Sequence, residues 1–154
     1  MRASHVLVAA LAALVLATES RAQEGGLDLT VGGVGIGIGD VPRVTGLRLN
    51  FRDRNLEEVR GINVTIWRPF SPASGEVHGL ALGVPTTGAA RIDGIAAGVF
   101  GVAAEERISG IGVAGLGIGA GERLEGIFAG GLAAGSGGTV RGIALGGLAA
   151  GAGD

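Results

Sequence analysis

The sequence predicts an all-β fold, a repeat β-solenoid of about one coil per sixteen residues behind a signal-peptide helix, and three observations predict it. Gly94, Gly110, Gly126 and Gly142 stand sixteen residues apart, each in the same local phrase, and a fixed short period marks a repeat architecture. Within a phrase the bulky residues advance by steps of three and two, as in Ile108, Ile111, Val113, Leu116 and Ile118. The composition supplies 33 glycines in 154 residues but only four phenylalanines, one tryptophan and no tyrosine, too few large side chains for an ordinary globular core.

The first element is the leader. After "MRASH" comes the apolar run Val6 to Ala17, then "TESRAQ", in which Ser20 and Ala22 are the small residues of a signal-peptidase site. A membrane span needs roughly 20 apolar residues, and this run is shorter, so cleavage after Ala22 and export are expected. Residues 1–22 are the signal peptide, 23–43 a lead-in or first irregular coil, 44–91 irregular repeats, and 92–154 regular sixteen-residue repeats.

The regular copies read "IDGIAAGVFGVAAEER", "ISGIGVAGLGIGAGER", "LEGIFAGGLAAGSGGT" and "VRGIALGGLAAGAGD". Looser copies begin at Val44, Val59 and Val77, and "VGGVGIGIGDV" from Val31 reads as an earlier one. A step of two keeps side chains on one face of a strand, and a step of three reverses them unless the backbone turns. The spacing therefore predicts corners near Gly110 and near Ala114–Gly115, with all five bulky residues of each phrase directed into the coil and small ones such as Ala97, Ala129 and Ala134 narrowing it. Glycine at a corner supplies positive φ. Charges collect at the repeat boundaries, at Glu105, Glu106, Arg107, Glu122 and Arg123, where solvated turns are expected.

Two other architectures compete for this pattern. Glycine-zipper helices would need runs longer than the boundary charges Glu122, Arg123, Glu125 and Arg141 allow, and interior glycine costs up to about 1 kcal/mol per helical position. An outer-membrane β-barrel with one strand and one turn per repeat also gives a period near sixteen. It is the alternative reading, and the missing tyrosines, scarce girdle aromatics and lack of strict alternation speak against it.

The phrase [VIL]-x-G-[IL]-x-x-G, recurring every sixteen or so residues behind a signal peptide, resembles the uncharacterised glycine-rich surface-repeat proteins of bacteria. The resemblance spans roughly Val44 to Asp154 and implies an exported protein of the periplasm, outer membrane or cell surface. "TGLRLNFRDRNL" and "GINVTIWRPFSP", less repetitive than the rest, mark a cap region in that arrangement.

No enzyme is predicted. His78 is the one histidine beyond the leader and occupies the variable second position of its repeat, equivalent to Arg60, Asp93, Ser109, Glu125 and Arg141, so it is read as solvent-facing. "GVGIGIGD" lacks the following helix of a dinucleotide loop, and "GAGD" lacks the spaced aspartates of a calcium β-roll. No cofactor, metal or catalytic residue is assigned. All twelve basic residues are arginine and the net charge is −2, which disfavours nucleic acid as a partner. The proline-stiffened stretch "WRPFSPASGE" supplies a candidate interaction patch, Arg68 and Phe70, while Trp67 is read as a core residue matching Phe100 and Leu116. Membrane association is left open.

The expected function is a non-enzymatic structural or surface-interaction protein of the envelope. Its partner would be an envelope protein, or the chain itself through an uncapped solenoid edge, since the residues before Asp154 are as repeat-like as any and further units or a second copy would cover them. The mature chain is expected to give a β-type far-UV circular dichroism spectrum, and a helix-dominated spectrum would overturn the solenoid assignment.

Overall fold

A computed structural model describes residues 22, 23, 25–67 and 72–153. The leader up to Arg21 and the candidate patch Arg68 and Phe70 lie outside the described residues. Among the described residues thirteen strands follow one another: β1 (Ala22–Gln23), β2 (Gly26–Val31), β3 (Val34–Gly39), β4 (Arg43–Asn50), β5 (Glu58–Thr65), β6 (Glu76–Gly83), β7 (Thr86–Gly98), β8 (Gly101–Ala114), β9 (Gly117–Ala120), β10 (Arg123–Gly130), β11 (Ala133–Ser136), β12 (Thr139–Gly146) and β13 (Ala149–Ala152). The fold is an all-β solenoid of about seven turns.

Each coil repeats the hydrogen-bonding register of the one before it. Gly110 pairs in parallel with Gly94 on one side and with Gly126 on the other, and Gly126 with Gly142. The same column continues through Gly79, Gly61, Gly46 and Gly35. A barrel of one strand per repeat would pair successive strands antiparallel. Among the described residues antiparallel pairing is confined to β1–β2 and β2–β3.

A long-strand side is built from β4, β5, β6, the C-terminal halves of β7 and β8, β10 and β12. The N-terminal halves of β7 and β8, with β9, β11 and β13, form a short-strand side. Strands β7 and β8 run through both sides, bulging where Ala90 stands opposite Glu105 and Glu106. The core is the thin space between the sides. Val44, Val59, Val77, Ile92, Ile108 and Leu124 stack in it, and Val102, Ile118 and Ala134 close it from the short side.

Facing differs from the sequence expectation. Ile108 and Ile118 are fully or almost fully buried, but Ile111, Val113 and Leu116 are 46%, 53% and 48% exposed. The reason is that Gly110 is not a corner between strands. Strand β8 passes through it with plain alternation, so the step of three from Ile108 to Ile111 carries the side chain to the outside. The inward positions are small instead: Ala81, Ala96, Gly112 and Ala114. Ala97 and Ala129 lie on the outer rows and do not narrow the coil, whereas Ala134 does. The second expected corner is present, because β8 ends at Ala114 and the chain turns at Gly115–Leu116.

The glycine column has two physical causes. Gly110 and Gly126 have φ of 125° and 135°, a region that L side chains rarely adopt. A Cβ at Gly126 would also collide with the carbonyl oxygen of Gly110 in the preceding coil. Phe128 exploits a different glycine. It is fully buried over Gly112, whose missing side chain leaves the room that the ring fills.

At the N-terminal end the lead-in is a hairpin. Gly32 and Gly33, both at positive φ, turn β2 back onto β3, so that β2 runs antiparallel along the first coil. The "GVGIGIGD" stretch is strand β3, continued by β4 in parallel rather than by a helix.

Two substitutions on adjacent residues check the facing. Phe128→Ala is expected to destabilise by about 3–5 kcal/mol through a core cavity, while Ile127→Ala, on the outer surface, stays within about 1 kcal/mol. Gly126→Val should cost on the order of 1–3 kcal/mol from backbone conformation alone. Denaturant unfolding measures all three, and equal losses for Phe128 and Ile127 would contradict the facing.

Candidate interaction surface

Outward residues of the long-strand side fall into rows, because each coil repeats its predecessor. Two rows near the start of each strand carry charge: Arg43, Glu58, Glu76, Arg91, Arg107 and Arg123 in one, Arg60, His78, Asp93, Ser109, Glu125 and Arg141 in the other. Stacking sets Arg91, Arg107 and Arg123 in direct succession, and acids of neighbouring positions neutralise them. Arg91 donates to Glu76 and to Glu106, both at 2.7 Å, and Arg107 donates to the two carboxylate oxygens of Asp93 at 2.9 and 3.1 Å. Arg60 donates to Glu58 at 2.8 Å. The hydrogen bond that Arg91 donates to Glu106, with the nearby charges of Glu106 and Glu76, raises the Arg91 pKa further above its ordinary value, so this group keeps its charge. Exposed pairs of this kind contribute little to stability, and what they do here is relieve like-charge stacking.

His78 sits in this ladder as the sequence places it, half-exposed and in register with Arg60 and Asp93. Its Nε2 lies 3.2 Å from Glu76 and 3.8 Å from Glu58, and its Nδ1 lies 3.6 Å from Asp93. The ring is one member of an acid–base stack, with carboxylates as its neighbours.

Past the glycine column the same face becomes apolar. Ile62, Leu80, Ile95, Ile111, Ile127 and Ile143 form one outer row, and Val64, Leu82, Val113 and Leu145 lie in the next. At the corner that follows, Trp67, Phe100, Leu116, Leu132 and Leu148 are exposed. Trp67 does match Phe100 and Leu116, as the sequence indicates, but on the outside of the corner rather than in the core. It stacks on Phe51 with ring centroids 6.3 Å apart and planes 7° from parallel. In cross-section the solenoid is thus charged along one long edge and apolar along the other. The candidate patch Arg68 and Phe70 lies outside the described residues.

The short-strand side carries a shallow groove of about 660 Å³, lined by Thr86, Gly101, Ala103, Glu105, Gly117 and Gly119 among others and overhung by Ala73. The backbone N–H of Ala73 donates to Glu105 at 2.9 Å. Its walls are mostly glycine and alanine, with Thr86, Thr87, Val102 and Glu105 among them.

One feature escapes the repeat reading. Past the glycine column the inward positions of β4 and β5 are Arg48, Asn50, Asn63 and Thr65, and the loop after β4 brings in Asp53, all buried. Arg48 donates through Nε to the Val41 carbonyl at 2.7 Å and through Nη1 to Asp53 and to Asn63, and its Nη2 faces Asp40. Asp53 also accepts from Asn50 at 2.6 Å and from the Thr65 hydroxyl at 2.7 Å. This polar plug closes the interior where the first coils have loops in place of a short-strand side. Its donors and acceptors engage one another, which makes the plug a connected buried network. The sequence signal was present in the departure of "LRLNFRD" and "INVT" from small inward residues.

No protein-family model, no curated protein and no solved structure matches this chain.

Asp53→Ala leaves the Arg48 guanidinium buried without its main counter-charge, and a loss of about 3–5 kcal/mol is expected. Arg48→Met combined with Asp53→Leu removes both charges and should recover most of that loss. Thermal and denaturant unfolding read both, and a neutral Asp53→Ala variant would show that the plug is dispensable.

Proposed function

We propose that this chain is an exported, non-enzymatic structural or surface-interaction repeat protein of the bacterial envelope. The observation that carries the reading is the long-strand face. It displays continuous aliphatic rows on a stiff ladder of coils, and contiguous apolar surface of that extent is characteristic of a protein that touches a partner. The leader-like sequence of residues 1–22 supports export, and the repeat phrase resembles bacterial surface-repeat proteins. In this role the coil stack acts as a scaffold, and its outer rows make the contact.

Expression of the full chain in a Gram-negative host, followed by fractionation and N-terminal sequencing, tests the proposal. The expected product begins at Gln23 and is recovered from the periplasm or envelope without detergent. An unprocessed chain retained in the cytoplasm would overturn export, and a product released only by detergent, with heat-modifiable gel migration, would favour a membrane-embedded barrel.

A further inference from the structure

We propose that the long-strand face binds the same face of a second copy, antiparallel, about a two-fold axis through the Arg91–Gly98 segment of β7. The proposal rests on the reading of this face as an interaction surface and names its occupant.

Charge selects that arrangement. An axis lying in the interface and directed along the strands keeps each row over its own row and reverses the order of coils. With the axis at Arg91–Gly98, Glu76 lies over Arg107 of the second copy, Glu58 over Arg123, and Arg60 over Glu125, each pair occurring twice by symmetry. His78 meets Ser109, and Arg43 meets Thr139. On the axis itself, Arg91 and Asp93 of one copy meet those of the other, and the diagonal Arg91–Asp93 contacts offset the like pairs. Moving the axis one coil toward the C-terminus sets Arg91 over Arg123 and Asp93 over Glu125. One coil in the other direction sets Glu58 over Arg91 and Arg60 over Asp93, but it also sets Arg43 over Arg107 and Glu76 over itself, so fewer opposite pairs stand against more like ones. The alternation of sign along the ladder therefore fits one antiparallel register better than its neighbours.

The apolar rows agree with the same register. Leu80 lies over Ile111, Ile62 over Ile127, and Ile95 over itself, while Leu82 lies over Val113. Seven coils of eight-residue strands give a face of roughly 34 Å by 26 Å, near 900 Å² per copy, taking strand spacing and rise at their usual values. A standard stable interface buries about 800 Å² per partner.

The test uses the mature chain. Light scattering and sedimentation should give twice the chain mass at micromolar concentration. Glu58→Arg and Arg123→Glu should each weaken the dimer about tenfold or more, and the double variant should restore it. Within one chain these residues stand four coils apart, roughly 19 Å, so a rescue reports contact between copies. Because the chain has no cysteine, an introduced thiol is unique. A short bismaleimide should link Ala97→Cys to itself, and Leu47→Cys to Ile143→Cys in a mixture, but not Leu47→Cys to itself.

A monomer at high concentration, or a double variant as weak as either single one, would overturn the dimer. So would loss of the dimer to lipid vesicles that capture the protein through this face. If the protein is exported and the face is still required to bind an envelope component while the chain stays monomeric, the second copy is excluded and the interaction-surface reading stands. If charge reversal and Ile111→Asp leave every association unchanged, both fail.

Discussion

Parallel, in-register hydrogen bonding from coil to coil is the constraint on which the rest of the structure depends. Because Gly110 pairs with Gly94 and with Gly126, every side chain in the regular region lies about 4.8 Å from its equivalents before and after it. A residue is tolerated only if copies of it can stand in a column. Aliphatic columns satisfy this easily. Arginine columns do so because acids from adjacent positions interleave, as Glu76, Asp93 and Glu106 do around Arg91 and Arg107. The glycine column satisfies it in another way, since even a methyl group there would strike the neighbouring backbone.

A ladder of this kind supplies stiffness without a thick core. The space between the two sides holds one large column, from Val44 to Leu124, faced by Val102 and Ile118 from the short side, and is otherwise filled by small residues, by Phe128 over Gly112 and, in the first coils, by the polar plug. A thin interior leaves no room for the remaining aliphatics, which accordingly line the outside. The amphipathic cross-section thus follows from the same geometry as the fold: inward positions take one branched residue per strand, and the alternating positions beyond the glycine column are left to bear the rest. A surface so produced is regular and spaced by the backbone, and these properties suit it to matching another regular surface.

Much of the architecture was legible because the period is exact in the numbering. Equal spacing of Gly94, Gly110, Gly126 and Gly142 gives the coil length, their positive φ is what glycine at a fixed repeat position implies, and the break at Gly115 marks a true turn. The facing was not legible in the same way. Bulky residues ordinarily identify the buried face, and here Ile111 and Val113 are the bulky ones while Gly112 and Ala114 face inward. Counting hydrophobicity therefore chose the wrong side of β8, and Trp67 was misplaced for the same reason. The antiparallel β2 and the Arg48–Asp53 plug occur once, so no periodicity revealed them. Residues standing against the repeat, polar at Arg48 and Asn63 where alanine follows at Ala81 and Ala96, were the trace of the plug.

The one-off character of that plug has a consequence for how such a chain changes over generations. Between β8, β10 and β12 the register advances by a whole repeat, so deleting or copying one entire unit reunites the same partners and leaves each ladder intact. A gain or loss of a single residue would instead turn a whole row inside out. The Arg48, Asn50, Asp53, Asn63 and Thr65 set admits neither change, because its members come from two different coils and a loop and meet only once. Exchange of whole units therefore preserves the backbone register of the regular array, while the N-terminal set has to be kept whole.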